Sequence, residues 1–251
     1  MSEKSRKPNH TGYSQLRALS RASIEINFTI ELPIMKPIRI DFVSDIACPW
    51  CAVGLASLEQ AIELVKDEAT VELHFQPFEL NPHMGSEGED IVEHLSQKYQ
   101  MSPEQVAVNQ QRIAQRVEEV GFHFNQAGRR RIYNTFDAHR LLHWAEAECG
   151  GHAQHKLKRS LLEAYFTQGE NPSSYAVLLD AVERAGLDRT RAGEVVSSDE
   201  FRNEVRQSQQ LYISQGINSV PAVIINQRYL VQVGQPVDVF EGALRQAAAE
   251  T

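Results

Sequence analysis

The chain predicts a mixed α/β fold: a strand–helix–strand unit is separated from a closing hairpin and helix by a long block of helices. Three observations carry this. "PIRIDFVSD" (Pro37 to Asp45) alternates Ile38, Ile40 and Phe42 against Arg39 and Asp41, which is strand periodicity, and "ATVELHFQPFEL" (Ala69 to Leu80) supplies a second strand. Between them Val53, Leu55, Leu58, Ile62 and Val65 recur at helical spacing, so the unit reads as a parallel pair joined by a helix. From Asn81 to Gly216 the pattern is helical alone, punctuated by "NPHMGSEGED", "QAGRRR", "ECGG" and "TQGENPSS"; alternation then returns in "VPAVIINQRYLVQVG".

Each element has a local reason. Pro49 suits the first position of the first helix, where its missing N–H had no intrahelical partner, and this puts Cys48 at the N-cap. Asn226-Gln227-Arg228 reads as a hairpin turn between Val223–Ile225 and Tyr229–Val233. Gly234 and Pro236 introduce a last helix with Val237, Phe240 and Leu244 on one face. The first 34 residues differ: up to Ser23 they hold five basic residues, one acid and five serines. They read as a disordered tail. Such a composition resembles a transit peptide, but an overlong translation start, with Met35 as the true one, is the preferred reading.

At 251 residues and 42% hydrophobic, the chain can bury a large core. Thirty-three acidic against twenty-five basic residues give a net charge of -8, so neither nucleic acid nor an anionic membrane is an expected partner. No apolar run approaches the roughly 20 residues of a membrane helix, and a soluble, cytoplasmic protein is expected. Three cysteines cannot all pair, and in a reducing compartment a C-x-x-C is more often catalytic or metal-bound than structural.

Cys48 and Cys51 flank Pro49-Trp50 at a strand-to-helix turn. Thiolate is the nucleophile in disulfide exchange. A helix start, with unpaired N–H groups and the positive end of the dipole, favours an anion at Cys48, and Cys51 lies one turn on along the same face. On this model Cys48 attacks a substrate disulfide and Cys51 resolves the product. A zinc site needs more ligands than the lone Cys149 supplies. "GINSVPAVII" raises a second question. Pro221 entering a strand is either a cis proline that leaves the backbone of Val220 free for an extended substrate, or an ordinary trans proline.

With "SDIACPWC", the helical block and "GINSVPAVIINQRYLVQVGQP", the chain resembles the thioredoxin-like DsbA family, in particular its cytoplasmic FrnE-like branch, from about Lys36 to Ala248. "PFELNP", "NTFDAHRLLHWA" and "LLEAYFTQGEN" look like signatures of that branch. The resemblance implies a thioredoxin-like α/β fold with a large all-helical insertion: tail 1–34, first part 35–82, insertion 83–200 and second part 201–251. It matches Cys48 to the attacking cysteine, Cys51 to the resolving one and Pro221 to a cis-proline opposite them, with Pro49, Trp50 and Val220 as substrate contacts. Asn134 and His139 either lie near the groove above Cys48 or are hydrogen-bonded within the helical block. The implied activity is thiol–disulfide oxidoreduction without a bound cofactor or metal, on protein or small-molecule thiols and disulfides. Glutathione is a candidate co-substrate, and the chain is a monomer or homodimer. Two departures stand out: Pro-Trp replaces the Pro-His of strongly oxidising members, and "VGQP" replaces a Gly-Ala-Gln stretch. The second cysteine pair of some relatives is missing.

Two competing functions remain. One is a glutathione-dependent isomerase or transferase resembling 2-hydroxychromene-2-carboxylate isomerase and kappa-class transferases, in which Cys51 has no job. The other is a non-catalytic binding module. Several side chains receive blander expectations: Asp45 as an exposed turn carboxylate rather than a proton shuttle, Cys149 as a semi-buried hydrophobe, "GRRRIYN" as a solvated loop, and His152 and His155 as solvated. His139 and His143 have the spacing of a metal pair but lack an obvious third ligand.

Overall fold

The computed structural model describes residues 37–125 and 128–250; the expected tail and Met35 lie outside them. A four-stranded sheet runs in the order β2-β1-β5-β6. Strand β1 (Ile38–Ser44) pairs in parallel with β2 (Val71–Pro77), joined by helix α1 (Pro49–Leu64), which is the predicted crossover unit. Antiparallel to β1 lies β5 (Ala222–Ile225), and β6 (Tyr229–Gln232) turns back on it. Asn226 and Gln227, both at positive φ (49° and 55°), make the turn, a conformation that asparagine tolerates better than most residues. The final helix, Val237–Ala249, packs on α1 and β1 through buried Phe240 and Leu244.

The central strand departs from the simple alternation. Asp41 is only 3% exposed, because Arg39 and Gln76 donate to its carboxylate at 2.7 and 3.0 Å. Sandwiched between β2 and β5, β1 has little water on either side, so its polar residues must find protein partners.

The insertion is mostly helical. Asp90 caps α2 (Ile91–Tyr99) by accepting from the backbone N–H of Val92 and Glu93, and Ser102 and Gln105 form a capping box at the start of α3 (Pro103–Glu119). Helices α4 (Phe136–Cys149) and α5 (Gly151–Leu162) form a tight pair, Gly150 taking the positive φ (86°) between them. A π-helical turn, Glu163–Thr167, extends α5. Then come α6 (Tyr175–Arg184), α7 (Arg189–Ser197) and α8 (Arg202–Ser214), and the final helix of the chain is α9. Arg140, from the "NTFDAHRLLHWA" stretch, is 1% exposed and ties α4 to the end of α7, donating to the carbonyls of Val195, Ser198 (2.6 Å) and Glu200 (2.8 Å). A guanidinium is suited to this, since its fork satisfies several helix-end carbonyls together.

Two expectations for this block are corrected. It is not helices alone, because Glu89–Asp90 (β3) and Arg131–Ile132 (β4) form a short antiparallel ladder. Nor is "GRRRIYN" a solvated loop. Arg129 is 6% exposed, its guanidinium set 5.0 to 5.7 Å from the ring centroids of Phe124, Tyr165 and Phe166, an aromatic seat that a run of basic letters does not reveal.

Candidate active site

The site begins where β1 ends. Asp45, 1% exposed, is the organiser of this turn and not the exposed carboxylate expected. It accepts from the backbone N–H of Ala47 (3.1 Å) and Leu80 (2.7 Å) and from the Thr135 hydroxyl (2.7 Å), with His139 Nε2 3.6 Å away. Burial disfavours its charge, but His139, the Leu80 N–H and Thr135 outweigh that and hold the carboxyl below its ordinary value. One side chain thus joins the cysteine turn, the "PFELNP" segment and the start of α4.

Cys48 is the N-cap of α1 with Pro49 in the first turn, as the sequence indicates. Its sulfur does not cap the first N–H groups. Instead the Cys48 thiol donates to the Val220 carbonyl at 3.6 Å, while the Cys51 N–H bonds to the Cys48 carbonyl at 3.1 Å. Both cysteines are free thiols, 4% and 0% exposed. Burial first, then the neighbouring Cys48, push the Cys51 thiol well above its ordinary value, while Lys158 pulls it back. Pro49 and Trp50 are half-buried and form the more accessible part of the turn.

The opposite wall comes from the other end of the chain. The Val220–Pro221 peptide is cis, and the Pro221 carbonyl accepts from the Val233 N–H at 3.0 Å. Backbone contact with α1 is close. A Cβ at Gly54 would meet Pro221 Cγ at 3.1 Å, and one at Gly234 would meet the Trp50 carbonyl at 3.0 Å. Gly234 belongs to the unusual "VGQP" stretch, and its missing side chain lets that stretch lie against the first turn of α1.

The remaining residues fall into place unevenly. His139, 2% exposed, lies beneath the turn beside Asp45. Asn134 is half-buried; its amide donates to the Met84 carbonyl (3.0 Å) and its oxygen accepts from the Phe136 N–H (2.9 Å), holding the start of α4. His143 packs on Phe201, so it and His139 face different partners, and among the described residues no group of three metal-ligating side chains converges. Cys149 is exposed, not semi-buried. His152 is exposed as expected, but His155 is paired with Glu59 at 2.5 Å. Lys158 is the residue that sequence reasoning missed. Fully buried on α5, it is pushed down to about 8 by burial, against the pull of Cys51, Asp45 and Cys48. Its signal was present: Gln154, Lys158, Leu161 and Leu162 fall on one helical stripe, which marks Lys158 as inward-facing.

A strand, a cysteine pair opening a helix and a cis-proline loop against it define a thioredoxin-type protein carrying a helical insertion. The chain belongs to the DSBA-like thioredoxin domain family, whose model matches residues 39–245. It is similar to the uncharacterized protein YwbO of Bacillus subtilis, 27% identical over 82% of this chain and 96% of that one. Among solved structures it resembles the probable DsbA oxidoreductase SCO1869 from Streptomyces coelicolor, at 29% identity and TM-score 0.78, covering 85% of this chain and 91% of that one. The cytosolic disulfide reductase DsbM from Pseudomonas aeruginosa, solved with GSH, shares the fold at 18% identity and TM-score 0.57, over 83% of this chain and 98% of that one. Family and neighbours support, in general terms, a thiol–disulfide oxidoreductase or isomerase role. No helix among the described residues is long and apolar enough to cross a membrane.

Proposed function

We propose that this chain is a thiol–disulfide oxidoreductase working through Cys48 and Cys51, close to the FrnE-like branch of its family. The observation that carries the reading is the Cys48 sulfur at the start of α1, turned to the carbonyl of Val220 in the cis-proline loop. In the reaction, the Cys48 thiolate attacks one sulfur of a substrate disulfide; a Cys48–substrate S–S bond forms and the other substrate sulfur leaves and takes a proton. Cys51, once deprotonated, attacks Cys48 Sγ, closing the protein disulfide and releasing the second substrate thiol. The cysteine pair loses two electrons, the substrate gains them, and the reverse sequence reduces the protein.

Pro49, Trp50, Val220 and Pro221 are the proposed substrate contacts. An extended chain seated there would displace the Cys48 thiol from the Val220 carbonyl and pair with that backbone. His139 supports the turn from behind through Asp45, and Asn134 holds the start of α4 beside it. Glutathione is the proposed small co-substrate, a role suggested by the fold shared with DsbM, and a cytoplasmic setting suits that role. A glutathione-dependent isomerase or transferase gives Cys51 nothing to do, so this reading ranks second. The test is equilibration in glutathione buffers followed by acid trapping and mass analysis. A Cys48–Cys51 disulfide should form reversibly, and Cys48→Ser should lower disulfide turnover by at least 100-fold. Full turnover in Cys48→Ser sinks the proposal.

A further inference from the structure

Lys158 occupies a place that packing alone does not justify. It is 0% exposed, its Nζ has no hydrogen-bond partner, and the Phe75 ring centroid, 5.8 Å away, is a weak recompense for lost water. A lysine serving only as filler at such a site is outperformed by an apolar residue of similar volume. Its position is well fixed, however. One turn earlier on α5, Gln154 accepts from the Phe75 N–H (2.9 Å) and donates to the Phe75 carbonyl (3.0 Å), pinning the helix to β2.

The charged groups on the elements near α5 are largely committed elsewhere. On β2 and α4, His74 and Glu146 pair with each other at 2.5 Å, and Gln154 also donates to Glu146. On α4, His139 lies beside Asp45; in the π-turn, the Tyr165 hydroxyl donates to the Arg131 carbonyl at 2.9 Å and Glu163 lies 3.9 Å from Arg159. From α6, Arg184 turns to Ser160 and Glu170. On α1, Glu59 is taken by His155 and Arg159. The groups whose charge acts on Lys158 are Cys51 first, then Asp45 and Cys48. The Asp45 carboxylate, held by Ala47, Leu80 and Thr135, stays charged whichever redox state the pair is in, so the cysteine pair is the anion that changes.

Resting on the oxidoreductase reading, we propose that Lys158 is a positioning residue of the dithiol: its buried ammonium is the counter-ion of the thiolate in the reduced pair, and it thereby raises the pair's reduction potential. In the reduced protein one cysteine is a thiolate beside the ammonium and the other a thiol. On oxidation the Sγ–Sγ bond forms and the substrate S–S bond breaks. Two electrons pass to the substrate, whose two sulfurs leave with one proton from the cysteine thiol and one from solvent. The thiolate is then gone and the ammonium keeps only the Asp45 carboxylate, so the oxidised state is the one that Lys158 disfavours.

The experiment compares the full chain with Lys158→Met in glutathione redox buffers. The equilibrium should move toward the oxidised protein by about tenfold, which corresponds to ~30 mV for two electrons, and alkylation of Cys48 at pH 7 should slow several-fold. Lys156→Met, an exposed position on the same helix, should change neither. A lysine with only a structural role shifts the denaturant stability of the oxidised and reduced states equally, whereas a counter-ion shifts them unequally. A folded Lys158→Met with an unmoved equilibrium overturns the inference and leaves the oxidoreductase reading standing. If the Met variant does not fold, Lys158→Gln is judged by the same criterion. Failure of the unaltered protein to form the disulfide at any glutathione ratio overturns the functional reading instead.

Discussion

Cys48, Cys51 and Pro221 are supplied by the sheet frame, from β1–α1 and the loop before β5, whereas Thr135, His139 and Lys158 come from the helical block inserted between those two segments, Thr135 as the N-cap of α4. The frame places the sulfurs and the wall they face; the insertion places the hydroxyl, imidazole and ammonium behind them. The two contributions obey different rules. The frame's part depends on backbone geometry at a helix start and a turn, which a few adjacent residues specify. The insertion's part depends on burying polar groups against partners some ninety or more positions away, as Thr135 does with Asp45.

Substitutions can probe that division, beginning with the residue where both contributions meet. Asp45→Ala removes the acceptor for two N–H groups and a hydroxyl and leaves His139 facing nothing; a loss of about 3–5 kcal/mol is expected in urea unfolding. A loss below about 1 kcal/mol would mean that the insertion is not anchored to the frame at this point. The same carboxyl gives a pH signature. Because its folded-state value is depressed, its contribution to stability is complete above the ordinary value of about 4 and is lost as pH falls through the folded value. Stability of the unaltered chain should therefore fall more steeply below about pH 4 than that of Asp45→Asn.

Gly234→Ala tests the frame alone. The added methyl meets the Trp50 carbonyl and the Gly54 N–H at 3.0 and 3.3 Å, so the cis-proline loop must back away from α1. A cost of about 1–3 kcal/mol is expected, with faster alkylation of Cys48 as its shelter opens. Unchanged alkylation would show that the loop does not govern access to the sulfur. The smallest effect is reserved for Cys149→Ser at the exposed end of α4, which should alter stability by less than about 0.5 kcal/mol and leave thiol–disulfide turnover as it was.

What could be read from the chain follows the same line. Alternation in "PIRIDFVSD", the helical spacing from Val53 to Ile62 and the Pro-Trp between two cysteines are local patterns, and they gave the strand, the helix and the N-cap directly. The burial of Asp45 is not legible locally, because an acidic residue in a turn is usually solvated and its donors Leu80 and Thr135 lie 35 and 90 positions downstream. The seat of Arg129 is hidden for a similar reason, since its three aromatic neighbours are brought together by the fold. Lys158 could have been found by asking which letters on an apolar stripe are charged, because such a residue needs a partner or a task. The two-residue ladder of β3 and β4 is too short to show any period.

The contact between Cys48 and Val220 spans 172 positions of chain. At the usual pace of synthesis, about 5–20 residues per second, the cysteines precede the loop that shelters them by roughly 10–30 s. For that interval the nascent chain presents an uncovered dithiol to whatever oxidants and partner thiols surround the ribosome, so a newborn molecule must either meet reductant or be completed with its sulfurs already committed.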